Sequence, residues 1–326
     1  MPHEDLPLAE LRSYGPDLVR PPDLATFWST TLAETRAHDL DASFERRDNG
    51  LAVIATFDAT FAGFAGSPVR AWLHLPEGGR APLPAVVEYL GYGGGRGLAH
   101  ERILWAAAGY AHFVMDTRGQ GSSWAVGETP DPDATGAPSH PGFMTQGILD
   151  PRTYYYRRVF ADAVRAVEAA RAHPAIDAGR IAVTGGSQGG GISIAVAALV
   201  PDIAATMPDV PFLCDFPRAI TVADSDPYGE IVRYLKLHRD HVEAALTTLS
   251  YFDVAVLGRS ATAPALFSVG LMDRVCPPST VYAAYNAYGG PKEILEYPFN
   301  DHEGGQGFQD AAKLRWLRER LGTGAG

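Results

Sequence analysis

The stretch VTGGSQGGG, residues 183–191, places one serine among five glycines directly after the apolar, β-branched run RIAVT at 180–184. The pattern G-x-S-x-G is centred on Ser187 and lies between a predicted strand and a predicted helix. In that setting the serine has a strained backbone, and its neighbours must lack side chains so that the strand and the helix can pass closely. The pattern therefore predicts a nucleophile elbow with Ser187 as nucleophile. The alternative is a glycine-rich turn that binds an anion at the helix N-terminus.

A general base is the second requirement, because a serine hydroxyl is a weak nucleophile until a base removes its proton. In elbow-containing proteins this base follows the serine in the sequence. His302, in FNDHEGG, lies between the last predicted strand and the final predicted helix, where a loop can carry its ring towards the serine. We therefore predict His302 as the base. Other histidines lie in or beside regular elements or in flexible segments: His3, His112, His140, His173, His238 and His241.

An acidic residue must orient that imidazole and stabilise its protonated form, and in chain order it should lie between the serine and the histidine. Asp273 directly follows a predicted buried strand, a position that aims a carboxylate at the histidine loop. Asp253 precedes its strand, and Asp301 adjoins the base, so that its side chain should point away. We predict Asp273 as the acid and interpret the two rivals as surface charges or helix caps.

Backbone donors for the tetrahedral oxyanion are expected at two places, each contributing about 3 kcal/mol when well aimed. The elbow supplies the N–H of Gln188, and the glycine-rich loop GYGGGRG at 91–97 supplies that of Tyr92. That loop taken alone could also be a plain turn. Tyr92, Phe212, Pro227 and Tyr228 are candidates to line a small acyl pocket, although core packing would equally explain these side chains.

The fold class follows from the order of the patterns along the chain. Three β-rich runs between 51 and 89 predict antiparallel strands that lead into a more buried one, after which strand and helix patterns alternate. This alternation predicts a mostly parallel twisted sheet with helices on both faces, because parallel strands need crossovers. We expect one domain over 1–326, with a helical N-terminal extension over 1–50. The long loop at 117–150 should be functional or an oligomer contact.

Composition and charge narrow the function classes. The formal net charge is −11, which disfavours nucleic acid or an anionic membrane as partner. The longest apolar run, 192–200, is far below the roughly 20 residues that cross a bilayer, and the first residues do not resemble a signal peptide. Cys214 and Cys276 match no metal motif, so we expect reduced, buried thiols in a cytoplasmic protein.

Several of these motifs together resemble one enzyme family. DTRGQGSS at 116–123, GGSQGG at 185–190 and HEGG at 302–305 are similar to the signatures of carbohydrate esterase family 7, the acetyl xylan esterases and cephalosporin C deacetylases. GYGGGRG at 91–97 and MDRVCPPSTVYAAYN at 272–286 also look like that family. The resemblance covers nearly the whole chain.

The resemblance implies an α/β-hydrolase fold and removal of acetyl groups from small acetylated sugars, xylo-oligosaccharides and cephalosporin C. It also implies no metal or other cofactor and a ring-like hexamer. The resemblance implies the same residues as those predicted above: Ser187, Asp273 and His302 as the triad, and the backbone N–H groups of Tyr92 and Gln188 as the oxyanion hole. Arg118, Gln120 and Glu303 belong to the signatures and are interpreted as structural support. Arg118 beside Glu303 would form a charge-assisted pair that holds two loops in register.

Two other functions remain open from the sequence. A peptidase or acylpeptide hydrolase shares the elbow and the triad order, but usually carries a large additional domain for which this chain has no room. A noncatalytic binding protein could keep the same fold, but would be expected to have lost part of the triad.

Overall fold

One mixed sheet organises the protein. The structure, a computed structural model, describes residues 5–79, 82–132 and 140–323, and within these ranges nine strands pair in the order β1-β2-β3-β5-β4-β6-β7-β8-β9. The strands are β1 (Ser43–Arg47), β2 (Ile54–Ala62), β3 (Pro68–Pro76), β4 (Leu83–Tyr89), β5 (Ala111–Met115), β6 (Ile176–Gly186), β7 (Ala205–Asp209), β8 (Ala265–Gly270) and β9 (Lys292–Tyr297).

Strand directions divide this sheet into two parts. β2 is antiparallel to both of its neighbours, β1 and β3, and β3 is antiparallel to β5. From β5 through β4, β6, β7 and β8 to β9 every neighbouring pair is parallel. The prediction of antiparallel strands leading into a parallel sheet is confirmed.

Helices cover both faces of the sheet, as expected for parallel strands. Val86 and Val87 alternate between the faces: Val87 belongs to the large core that includes α2, α4 and α5, whereas Val86 packs with residues of α3 and α11. The helices are α1 (Leu8–Leu11), α2 (Leu24–Arg36), α3 (Leu104–Ala107), α4 (Tyr155–Ala172), α5 (Gln188–Leu199), α6 (Phe216–Val222), α7 (Tyr228–Leu237), α8 (Val242–Ser250), α9 (Val254–Leu257), α10 (Pro278–Ala287) and α11 (Gln306–Leu321).

The N-terminal segment contains two helices, α1 and α2, but Ser43–Arg47 form the edge strand β1, which the sequence prediction left out. Charged, exposed side chains dominate this strand, so it lacks the apolar alternation that indicates a half-buried strand. Trp28 of α2 fastens the segment to the main body. Its ring stacks on Phe160 with centroids 5.6 Å apart, and its indole N–H donates to the Tyr251 carbonyl at 3.1 Å.

The predicted long loop at 117–150 is described except for 133–139, which lie outside the described residues. Its described part includes a 3-10 turn at Phe143–Thr145. Across the described part of the chain, no helix combines the length and the apolar character needed to cross a membrane.

Candidate active site

Ser187 forms a sharp turn between β6 and α5, with φ 56° and ψ −119°. This is an unfavourable backbone for a side-chain-bearing residue, and the close packing around it explains the glycines. A Cβ on Gly189 would lie 2.0 Å from the carbonyl oxygen of Tyr89, and one on Gly185 would lie 2.5 Å from the same oxygen. The turn has the strained, glycine-flanked geometry that the sequence predicted for an elbow.

Ser187 and His302 line one cavity of about 590 Å³ at the carboxyl ends of the parallel strands. This is where open α/β sheets bind their ligands. Within the described ranges, His302 is the histidine that lines this cavity. The structure thus brings together the predicted nucleophile and the predicted base, which are 115 positions apart in the sequence (302 minus 187).

Asp273 fixes the orientation of that histidine. Its Oδ2 lies 2.9 Å from Nδ1 of His302, while its Oδ1 accepts hydrogen bonds from the N–H groups of Val275 and Cys276, both at 2.8 Å. The carboxylate is buried and can only accept hydrogen bonds, so in the neutral imidazole the proton belongs on Nδ1. The other ring nitrogen, Nε2, then keeps a lone pair with which to take a proton.

The two rival carboxylates are engaged elsewhere. Asp253 is buried and accepts N–H groups of Asp215, Phe216 and Ala255 at 2.9–3.1 Å, so it holds the backbone around α6 and α9. Asp301 accepts the backbone N–H of His302 at 2.9 Å rather than its ring. Of the three candidate carboxylates, Asp273 is the one that contacts the imidazole.

Cys276 lies at the centre of this arrangement and was not predicted to take part in it. Its Sγ lies within 4.8 Å of donor atoms of both Asp273 and His302, and the side chain of Ser187 is close enough to lower the pKa of the thiol, although burial has the larger effect. Burial raises the pKa of the thiol well above its ordinary value, which disfavours the thiolate that a metal ion would require. Cys214 and Cys276 are both free and buried, as predicted.

Tyr92 is held at one side of the cavity by contacts from three directions. Its hydroxyl donates to Oε1 of Glu230 at 2.7 Å and accepts the N–H of Phe143 at 2.9 Å. Its carbonyl accepts the indole N–H of Trp124 at 2.9 Å, and the next residue, Gly93, donates its N–H to the side chain of Gln120 at 2.8 Å. The loop position from which an oxyanion donor is expected is therefore rigidly supported.

Gln188, the first residue of α5, has a backbone N–H without an intrahelical partner. Its side chain bridges to the Tyr92 loop: Nε2 donates to the carbonyl of Leu90 at 3.0 Å, and Oε1 accepts from Nε2 of Gln120 at 2.9 Å. Gln120 therefore contacts the side chain of Gln188 and the backbone of Gly93, the residue after Tyr92, which gives the glutamine of the RGQ signature a positioning role.

Gln120→Met is expected to lower kcat by about ten- to a hundredfold, because losing one oxyanion donor outright costs about 10²–10³. Steady-state kinetics on 4-nitrophenyl acetate measure this effect. Gln146→Met, in the same long loop, is the control and should keep its activity. An unchanged kcat in folded Gln120→Met protein would contradict the positioning role.

Comparison with known proteins agrees with this geometry. The family model for acetyl xylan esterase (AXE1) matches residues 1–320. The chain belongs to the acetyl xylan esterase family. Members of this family are carboxylic ester hydrolases that act on acetyl esters.

Two solved members of the family superpose over almost the whole chain. The acetyl xylan esterase from Paenibacillus sp. R4 is 38% identical with a TM-score of 0.90, covering 97% of this chain and 100% of that one. Acetyl xylan esterase 1 from Thermoanaerobacterium sp. JW/SL YS485 is 32% identical with a TM-score of 0.87, covering 97% and 99%. These neighbours confirm the α/β-hydrolase fold.

More distant matches cover parts of longer proteins. Acetyl esterase Axe7A from Xylanibacter ruminicola is 32% identical over 161 residues, which are 49% of this chain and 36% of that protein. The acylaminoacyl peptidase of Pyrococcus horikoshii is 17% identical with a TM-score of 0.60, covering 83% of this chain and 41% of that one. The second likeness shows a shared fold alone.

The predicted contact between Arg118 and Glu303 is wrong. Arg118 is buried and forms a bidentate pair with Asp162 of α4, at 2.5 and 2.7 Å, with Asp131 3.5 Å away. Glu303 instead accepts the side-chain amide of Asn300 at 2.7 Å, within the loop that carries the histidine. Both residues keep loops in place, but they do so in separate networks because Arg118 points into the core beneath α4.

Arg118→Met is expected to lower the free energy of unfolding by about 3–5 kcal/mol, because it leaves a buried carboxylate without its partner. Chemical denaturation measures the loss. The control is Arg36→Met, which breaks a half-exposed pair with Glu168 and should cost much less. Equal losses in the two variants would show that the buried pair stabilises the fold no more than the half-exposed pair does.

The predicted acyl-pocket residues divide into two groups. Tyr92 and Pro227 line the cavity, whereas Phe212 and Tyr228 are fully buried behind it, with ring centroids 4.3 Å apart. For these two the alternative of core packing is correct. Side chains that the prediction missed complete the wall: Trp124 and Pro141 from the long loop, and Val210 and Val275. In the sequence, the one signal for these wall residues was a tryptophan, Trp124, within a long polar loop.

Proposed function

We propose that the protein is a serine esterase that removes acetyl groups from small acetylated carbohydrates, with Ser187, His302 and Asp273 as its catalytic triad. The observation that carries this proposal is that Ser187 and His302 line one cavity, with the imidazole bound to the buried carboxylate of Asp273 at 2.9 Å. Family membership supports the reaction, and the names of the solved relatives support acetylated xylo-oligosaccharides as substrates.

In the first half-reaction, Oγ of Ser187 attacks the acetyl carbonyl carbon while Nε2 of His302 takes its proton. The backbone N–H groups of Tyr92 and Gln188 stabilise the oxyanion. When the tetrahedral intermediate collapses, the bond to the alcohol oxygen breaks and His302 returns the proton to the leaving alcohol. Asp273 stabilises the imidazolium throughout.

The second half-reaction reverses these roles with water as nucleophile. His302 takes a proton from water, the hydroxide attacks the acetyl-enzyme, and the same proton is returned to Ser187 as acetate leaves. Each step uses side chains, backbone groups and water, so the mechanism requires no cofactor.

The direct test combines labelling with product release. A fluorophosphonate should label Ser187, and acetylated xylo-oligosaccharides should release acetate. A folded sample that neither labels nor releases acetate would favour a noncatalytic binding protein. Cleavage of an aminoacyl-amide in preference to an acetyl ester would favour a peptidase.

A small acyl pocket is expected to make kcat/KM fall along a series of 4-nitrophenyl esters from acetate to hexanoate. Tyr92 and Pro227 line the cavity with rigid side chains, and each methylene that does not fit changes the transition-state free energy by about 1–3 kcal/mol. Steady-state kinetics on the series measure the trend. Equal kcat/KM values for all chain lengths would reject the small pocket.

We propose further that residues 1–326 form a single domain, that the protein is a cytoplasmic hexamer, and that cephalosporin C is also a substrate. The motif resemblance supports the hexamer and the antibiotic, one continuous sheet supports the single domain, and two free buried cysteines support a reducing compartment. Light scattering tests the assembly, and acetate release from cephalosporin C tests the second substrate.

A further inference from the structure

A second, smaller cavity of about 310 Å³ adjoins the one that contains Ser187, and we call it the side chamber. It is bordered by α3 and α11 on the face of the sheet opposite α5, and its lining includes Trp105, His112 and Lys313. The two cavities share five lining residues: Glu88, Arg102, Gly186, Asp209 and Asp310. The side chamber therefore adjoins the candidate active site across these five residues.

Gly186, which immediately precedes Ser187, borders both cavities. A Cβ placed on it would have no atom within 4 Å, so the space beside the nucleophile is open at this point. Tyr92 and Pro227 line the large cavity and do not border the side chamber. Gly186 therefore leaves room for a bulky group on the side of the nucleophile that adjoins the chamber, whereas the apolar wall lies on the large-cavity side.

The chamber presents fixed charges of both signs. Glu88 accepts from Arg102 at 2.6 Å and lies 2.8 Å from Nε2 of His112, while Lys313 pairs with Asp209 and Asp310. Burial alone would raise the pKa of Glu88, but the hydrogen bond with His112 and the charge of Arg102 lower it to about 2. Glu88 is therefore an ionised acceptor at neutral pH, fixed beside cationic donors.

His112 is the buried partner of Glu88 in this wall. The residue is fully buried, and its Nδ1 has no hydrogen-bond partner within the described ranges, although Nε2 is engaged by Glu88. Buried polar atoms without partners are uncommon because they lose the hydrogen bonds that water would make. Because that nitrogen is itself buried, the groups that a ligand can reach in the chamber are the charged side chains of Glu88, Arg102 and Lys313.

We propose that the side chamber binds the alcohol portion of the ester and selects polyhydroxylated alcohols over apolar ones. This inference rests on the esterase function proposed above. A hydroxyl both donates and accepts hydrogen bonds, so a sugar can satisfy carboxylates and cations at once. An apolar alcohol would displace water from these ion pairs and offer no hydrogen bonds in exchange, which costs free energy.

The test compares two acetyl esters that differ in their alcohol, acetylated xylobiose and cyclohexyl acetate. Glu88→Gln should lower the ratio of their kcat/KM values by about tenfold, the effect of losing one hydrogen bond to a charged group. Asp310→Asn should lower the same ratio. Because the side chain of Asp310 is half-exposed, this variant is expected to fold even if Glu88→Gln does not.

Glu319→Gln is the matched control, because it removes one negative charge from an exposed position on the same helix as Asp310. It should keep the wild-type ratio. A ratio that stays at the wild-type value in both Glu88→Gln and Asp310→Asn would overturn the proposal, as would an equal fall in Glu319→Gln.

Binding measured without turnover separates this inference from the esterase proposal. Calorimetry with xylobiose on the Ser187→Ala protein should show binding that Glu88→Gln weakens about tenfold in the same background. Undiminished xylobiose affinity in the double variant would refute the chamber even if the protein is an esterase. A wild-type protein that binds xylobiose but cleaves no acetyl ester would refute the esterase function alone.

Discussion

Ser187→Ala is expected to lower kcat on 4-nitrophenyl acetate by about 10⁵–10⁶-fold, because it removes the atom that forms the acetyl-enzyme. The turn itself should survive, since alanine is smaller than serine and the backbone contacts of residue 187, such as its N–H to the Asp209 carbonyl at 2.9 Å, remain. Steady-state kinetics and fluorophosphonate labelling measure the loss, and circular dichroism checks the fold.

The matched control is Ser193→Ala, which lies in α5 fewer than two helical turns after Ser187. Ser193 is buried and donates to the carbonyl of Gly190 at 2.7 Å, so its loss should affect stability by about 1 kcal/mol and leave labelling intact. Retained turnover by Ser187→Ala would refute the assignment of the nucleophile, whatever the control shows.

Asp273→Asn is expected to lower kcat by about 10⁴-fold. The neutral amide cannot stabilise the imidazolium, and if its NH₂ faces Nδ1 it forces the proton onto Nε2, the nitrogen that must accept the serine proton. Oδ1 can still receive the N–H groups of Val275 and Cys276, so the loop should keep its shape. Steady-state kinetics across pH measure the loss, and thermal unfolding checks the fold.

Asp301→Asn provides the comparison for this variant. Its carboxylate accepts backbone N–H groups of Arg274 and His302, at 3.3 and 2.9 Å, and is not the partner of the ring. We expect kcat within about tenfold of wild type for a contact of this kind. If Asp301→Asn lost as much activity as Asp273→Asn, the acid would have been assigned to the wrong residue.

Much of the fold could be predicted because its signals are local. Apolar runs bounded by glycine and proline mark β2, β3 and β4, and G-x-S-x-G between a strand and a helix marks the turn at Ser187. β1 was missed because an edge strand needs no apolar alternation when both of its faces are largely exposed. α9, a single turn after Asp253, was missed because so short a helix has no periodicity to detect.

By itself the sequence indicated the proposed chemistry: a serine flanked by glycines between a strand and a helix, followed in the chain by an acid and a histidine that each come after a predicted strand. Only the tertiary structure decided which groups surround them. In the structure Asp162 rather than Glu303 pairs with Arg118, and Glu88 contacts His112. Cys276 lies near Ser187, and Phe212 and Tyr228 are buried behind the cavity wall. Such contacts depend on the directions in which side chains from distant segments pack, and a pattern of neighbours along the chain does not encode those directions.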